Sequence, residues 1–195
     1  MLLARCYSCA KMLLKLIRHS AVLVHKGTCY GQTDVALDEP AFAHTIGLLH
    51  SQMGNPTEAL IYSSPLNRCA RLAQELAEGQ DCVLDTRLME LNFGEWEMQA
   101  WDSLDPNALD TWMKDYVRQK PPGGEALQDL ADRCAAFLAD LRAKASKTQA
   151  KEAWIIAHAG SIRVLLCLLD SLPLDRAFDQ KIGFGEVIER RLNQK

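Results

Sequence analysis

Two short apolar runs, each delivering a histidine into a stretch of small residues, constrain this chain more than any other feature. Leu16-Ile17-Arg18-His19 is followed by Ser20-Ala21, and Ile155-Ile156-Ala157-His158 by Ala159-Gly160-Ser161. An apolar run without polar alternation is how a strand buried on both faces reads, and such strands belong to parallel sheets covered by helices. In an open α/β sheet, chemistry gathers beyond the carboxyl ends of the strands. If the two strands are neighbours, both histidines and Arg18 share one crevice, an anion site with a nucleophile in it. Either histidine alone reads more readily as a satisfied core or capping residue; the matching contexts are what favour function.

The rest of the chain alternates strand and helix signals. Leu13 to Arg18 reads as the first strand, and a loop follows from Lys26 to Asp34, whose two glycines let backbone approach a ligand closely. A helix is expected over Pro40 to Met53 and a strand over Ala59 to Tyr62. Ser63-Ser64-Pro65 then has the form of a helix start, with a capping serine and a first-turn proline, and that helix runs to about Glu78. A short strand covers Cys82 to Leu84. Glu90 to Gly124 is irregular, holds Trp96, Trp101 and Trp112, and reads as a small helical excursion over the active face. A long amphipathic helix follows over Ala126 to Lys144, then a strand over Ala153 to Ala157, a helix over Ser161 to Leu169 and a late strand over Glu186 to Leu192. The fold class is α/β: a three-layer α/β/α sandwich around a mostly parallel sheet, with room for an antiparallel edge strand.

Composition narrows the function. At 195 residues the chain fits one domain, placed at residues 12–195, behind a loose or non-native tail at residues 1–11. A formal charge of −3 offers no basic stripe for nucleic acid, and no apolar run reaches the length of a membrane span. Seven scattered cysteines suit a reducing compartment, so a cytoplasmic location is expected. Cys6 and Cys9 have ligand-like spacing but no second pair completes a four-ligand site, so no metal and no other cofactor is expected.

Arg18 and Arg68 both stand just past predicted strands. Guanidinium forks match phosphate oxygens two at a time, and the helix expected from Pro65 adds backbone donors at its N-terminus. A neutral imidazole is a competent nucleophile toward phosphorus, dividing a hard transfer into phosphorylation and hydrolysis. The remaining need is an acid for the leaving oxygen. Glu90, set among apolar neighbours in Leu88-Met89-Glu90-Leu91, is the candidate, with Glu125 or Glu95 next in line.

Taken in order, Arg18-His19, Ser63 to Cys69, Glu90 before Phe93-Gly94-Glu95-Trp96, Gly123-Gly124-Glu125 and His158 to Arg163 resemble the histidine phosphatase superfamily in its phosphoglycerate mutase-like branch. The resemblance covers nearly the whole chain from Met12 onward. The loop Gly27 to Val35 and the stretch Glu90 to Glu97 are most similar to the α-ribazole phosphatases. The resemblance implies that His19 is the phosphorylated nucleophile, that Arg18, Arg68 and His158 line the phosphate pocket with His158 as an imidazolium, and that Glu90 is the proton donor. Tyr30, Gly31 and Gln32 would form a substrate loop. Ser20, His25, Leu72 and Ala159 depart from commoner residues of the family without removing a core group.

The implied activity is metal-independent hydrolysis of a small-molecule phosphomonoester through a phosphohistidine. The implied substrate is α-ribazole 5′-phosphate or the corresponding cobalamin phosphate. A phosphatase or mutase for another small phosphate is the nearer alternative. A phosphate-binding scaffold without turnover is the more distant one, and a chelator-resistant burst of phosphate from an aryl phosphate separates it from an enzyme. Oligomeric state leaves no mark on the sequence.

Overall fold

The computed structural model describes residues 12–192; the expected tail, with Cys6 and Cys9, lies outside the described residues. Five strands form one sheet: β1 (Met12–Arg18), β2 (Ala59–Ser63), β3 (Cys82–Leu84), β4 (Glu152–Ala157) and β5 (Val187–Leu192). Their order is β3-β2-β4-β1-β5. β1, β2, β3 and β4 run parallel to their neighbours, and β5 pairs antiparallel on the β1 edge. β1 and β4 are therefore adjacent, with Arg18 directly opposite Ala157, so the two histidines emerge side by side.

Side chains alternate across the pleat and build a core on each face. Leu14, Leu16 and Ile155 join Leu130, Phe137 and Leu165 from α4 (Leu127–Ala145) and α5 (Ala159–Asp170). Ile17, Ile61, Trp154 and Ile156 join Phe42, Leu49, Leu72 and Leu76 from α1 (Glu39–Gln52) and α2 (Asn67–Ala77). Trp154 is the largest side chain in this set, and truncating it to alanine should cost about 3–5 kcal/mol through lost transfer energy and the cavity left behind. α3 (Pro106–Lys114) lies in the excursion between β3 and α4.

Two helix starts differ from expectation. α2 begins at Asn67, after Ser64 has turned its hydroxyl to accept from the Leu66 amide and to meet His158, so it caps no helix. The first amide of α2, at Asn67, donates to Asp34 (2.9 Å), and the anion donors expected there are in part already engaged. α5 starts at Ala159, two residues early: Ser161 accepts from the His158 amide (3.1 Å), which draws Ala159-Gly160 into its first turn.

The loop after β1 is zipped to the tryptophan-rich excursion. Thr28 bridges Ala100, the Cys29 amide donates to Gln99 O, and the Met98 and Trp101 amides donate back to Cys29 O and Gly27 O. Phe93, Trp96, Trp101 and Trp112 pack mostly edge to face around this seam, with centroids 5.5 to 6.3 Å apart. The excursion is thereby held beside the carboxyl ends of β1 and β4.

Candidate active site

His19 is the first residue beyond β1, and its amide is tied to Ala157 O at the end of β4. Its buried ring places Nδ1 2.7 Å from Ser20 O. A carbonyl only accepts, so Nδ1 carries the proton and Nε2 keeps its lone pair. Burial, then the charge of Arg68, drives the pKa down to about 3, with Arg18 adding to the effect and the Ser20 carbonyl opposing it. The ring is neutral near neutral pH, in the tautomer that presents Nε2 as a nucleophile.

Three guanidinium groups converge beside it. Arg68 is fully buried and donates from Nε to His158 Nδ1 (3.2 Å), from Nη1 to Thr33 O (2.9 Å) and from Nη2 to Gly31 O (2.6 Å). Three of its five N–H groups are used, and two remain. Arg18 donates to Ile182 O (2.6 Å), stacks on Phe184 with Cζ 3.8 Å from the ring centre, and has a buried Nε with no hydrogen-bond partner among the described residues. Burial pulls Arg18 below the usual arginine range, against the pull of Tyr30 and Glu90. Arg163, one turn into α5, donates to Gln180 O (2.9 Å) and lies over Phe178. Burial lowers its pKa as well, and Glu90 opposes that shift.

His158 sits with its ring centre 5.1 Å from that of His19. Its Nδ1 accepts from Arg68, so its Nε2–H donates to Ser64 Oγ (2.8 Å). Burial foremost, then Arg68, holds this imidazole well below its ordinary pKa, and the neighbouring Cys69 thiol is pushed up by burial. The imidazolium expected at His158 is thus replaced by a neutral ring with both nitrogens engaged, because a charge there would be fully buried and set against the Arg68 cation. The positive charge comes from arginines alone.

Glu90 is not bedded in apolar side chains as its sequence context suggests. Oε1 accepts from the Leu91 amide (2.9 Å), and Oε2 accepts from the Gly160 amide (2.9 Å) in the first turn of α5. A helix N-terminus favours a carboxylate in this position. Glycine is required at 160 for this approach, since a Cβ there would lie 2.2 Å from Glu90 Oε1. Glu125 is not a spare acid: its oxygens are held by Arg133 and by the Asn92 amide. Glu95 is exposed.

A cavity of about 200 Å³ opens among Arg18, His19, Arg68, Glu90 and Arg163, with Thr28, Tyr30, Phe93, Trp101, Leu127 and Phe178 completing the wall. Of the expected substrate loop, Tyr30 is in this wall while Gly31 and Gln32 are not. Gln32 instead donates from Nε2 to Glu90 O (2.9 Å) and from its amide to Glu97 (2.9 Å). Gly31 packs so tightly that a Cβ would come 2.1 Å from Leu91 O. Glu97 clasps the loop by accepting from the Gln32, Thr33 and Phe93 amides and the Thr33 hydroxyl. Burial pushes Glu97 up, but these hydrogen bonds prevail and hold it below its ordinary value.

Arg163 and Glu97 are the residues sequence reasoning missed. The signal for Arg163 was its place one turn after His158, where a helix starting at the strand end returns a side chain to the crevice. Among the described residues, no three His, Cys, Asp or Glu side chains gather as a metal-ligand set, and no helix is long and apolar enough to cross a membrane.

A family model described as histidine phosphatase superfamily (branch 1) matches residues 14–193. Glucosyl-3-phosphoglycerate phosphatase of Mycolicibacterium vanbaalenii is 29% identical over 172 residues, which cover 83% of this chain and 76% of that protein. A solved mycobacterial glucosyl-3-phosphoglycerate phosphatase superposes with a TM-score of 0.80 at 26% identity, covering 92% of this chain and 89% of that one. The α-ribazole phosphatase of Shigella flexneri shares the fold, with a TM-score of 0.79 at 22% identity over 94% of this chain and 96% of that one.

Proposed function

Since this chain belongs to the histidine phosphatase superfamily, branch 1, we propose that its cavity hydrolyses a small phosphomonoester through a phosphohistidine at His19. The observation that carries the reading is the His19 ring. It is neutral, locked by Ser20 O in the nucleophilic tautomer, and placed in the wall of a cavity bearing three guanidinium groups.

His19 Nε2 attacks phosphorus in line with the ester oxygen, forming the N–P bond as the P–O bond breaks. Arg18, Arg68 and Arg163 hold the phosphoryl oxygens and meet the charge that builds on them. Glu90 is the group placed to give a proton to the departing oxygen and then to take one from the water that attacks the phosphohistidine. That second step breaks the N–P bond, frees inorganic phosphate and restores His19.

For the substrate, the reading is α-ribazole 5′-phosphate or the corresponding cobalamin phosphate. Tyr30, Phe93, Trp101 and Phe178 give the wall aromatic faces suited to a flat heterocycle, and the fold is shared with an α-ribazole phosphatase. One observation favours a second reading. Among the described residues Arg163 has no carboxylate within salt-bridge distance; on this second reading it leaves the phosphoryl group to Arg18 and Arg68 and meets a second acidic group, as in glucosyl-3-phosphoglycerate, the substrate in the mycobacterial relatives' name. The reading includes a cytoplasmic setting, to which five free cysteines among the described residues are suited.

The test is turnover quenched in alkaline detergent, which preserves an N–P bond. Wild-type protein should carry acid-labile, base-stable phosphate that His19→Ala lacks, and the mutant should be folded and inactive. Full activity in His19→Ala overturns the mechanism. Side-by-side turnover of α-ribazole 5′-phosphate, 3-phosphoglycerate, glucosyl-3-phosphoglycerate and sugar phosphates decides the substrate.

A further inference from the structure

Glu90 lies on a segment with little regular structure of its own. A single turn of 3₁₀ helix covers Thr86–Leu88, and the chain then runs irregularly to Gly94. Carbonyls on such a segment need partners from elsewhere, and a loosely held segment would not keep a side chain at one position. Gln32 Nε2 meets one of these carbonyls, Glu90 O (2.9 Å), and the partner that spans several of them is one arginine from α4. Arg133 donates from Nη1 to Arg87 O (2.8 Å) and Met89 O (2.7 Å), and from Nη2 to Glu90 O (2.8 Å). Its remaining donors go to Glu125, from Nε to Oε1 (3.2 Å) and from Nη2 to Oε2 (3.0 Å). All five N–H groups of the guanidinium are thereby spent.

Glu125 closes the loop. Its Oε2 also accepts from the Asn92 amide (3.0 Å), and its own amide donates to Asn92 O (2.8 Å). The largely buried pair therefore grips the chain before Glu90, at Arg87 and Met89, at Glu90 itself, and after it at Asn92. The far end of Glu90 is held as well, because its carboxylate accepts from the Leu91 and Gly160 amides (both 2.9 Å).

We propose that the Arg133–Glu125 pair is a positioning device for Glu90, setting where its carboxylate stands relative to the leaving oxygen. Neither residue touches the substrate. The proposal rests on the reading of Glu90 as the proton donor, and it predicts an effect that scales with the need for that proton. A rigidly placed acid loses efficiency steeply when it drifts by a fraction of a bond length. Lysine keeps the charge at 133 but offers three donors from a single nitrogen, and cannot reach three carbonyls and a carboxylate together.

The experiment measures kcat/KM of wild type, Arg133→Lys, Glu125→Gln and Glu90→Gln on an alkyl phosphate and on 4-nitrophenyl phosphate. Arg133→Lys should lose roughly tenfold or more on the alkyl ester and no more than about threefold on the nitrophenyl ester, whose phenolate leaves unaided. Glu125→Gln should show the same split more weakly, and it serves if Arg133→Lys does not fold. In a Glu90→Gln background, Arg133→Lys should add nothing on the alkyl ester, since a displaced acid and an absent acid are the same loss. Equal loss on both esters, or full additivity with Glu90→Gln, overturns the positioning role while leaving Glu90 as the acid. Absence of any leaving-group split in Glu90→Gln itself refutes the acid reading, and the proposal falls with it.

Discussion

The His19 ring should make the protein acid-labile in a way that one substitution removes. In the folded chain the imidazole stays neutral down to about pH 3, whereas unfolded it titrates at 6.5. Between those values the unfolded state binds a proton that the folded state does not, so stability rises with pH across the window. The contribution is whole above pH 6.5 and is lost as pH falls toward 3. At about 1.4 kcal/mol per pH unit, His19 alone should remove about 2 kcal/mol between roughly pH 7.5 and 5, and on the order of 5 kcal/mol by about pH 3. The ring is buried, so screening by solvent takes little from these figures. His158 is shifted in the same direction and steepens the wild-type curve. Urea unfolding followed by tryptophan fluorescence, at several pH values on wild type and His19→Gln, isolates the His19 share as the difference between two slopes. Parallel curves would mean that the ring is solvated or charged in the folded protein, and the case for a neutral nucleophile would collapse.

Glu90→Gln should slow hydrolysis of an alkyl phosphate by about 10²–10⁴-fold while leaving phosphorylation by 4-nitrophenyl phosphate nearly unchanged; a uniform loss on both would make Glu90 structural. Arg68→Lys should be far from conservative, since it abandons contacts to Gly31 O, Thr33 O and His158 together, each worth ~1.5–3 kcal/mol as a bond from a charged donor; wild-type kcat/KM would contradict this. Exhaustive chelation should leave turnover intact, with loss of activity restored by a divalent ion as the contrary result.

Legibility in the sequence followed the range of the forces involved. The mostly apolar runs leading to Arg18 and Ala157 were readable because a strand buried on both faces needs them, whereas their adjacency was only a condition in the sequence and is given by the β1–β4 pairing. The short β3 and the long α4 were readable for similar local reasons. The start of α2 was not, because Ser64 is diverted by His158, 94 residues away. The charge of His158 was equally hidden: an imidazole is written the same way whether it meets water or an arginine and a thiol. Gln32 looked like a substrate contact from its loop, yet its partners are Glu90 O and Glu97, 58 and 65 residues distant. Arg133 carried no mark in a helix rich in charged residues, since what it holds is backbone, and backbone carbonyls have no sequence signature.

The antiparallel edge strand has a consequence for when the protein first becomes competent during its synthesis. The segment leading into β5 supplies Ile182 O and Phe184 to the Arg18 guanidinium, while Gly185 and Glu186 bond to the backbone of Arg18 and His19. Arg18 leaves the ribosome 164 residues ahead of Ile182. A nascent chain lacking them has His19 but not the carbonyl and ring that seat the neighbouring Arg18 cation, and contacts of such sequence separation form late. The Arg18 side of the cavity therefore takes its form only once the chain has been made through Glu186 and has folded back along β1.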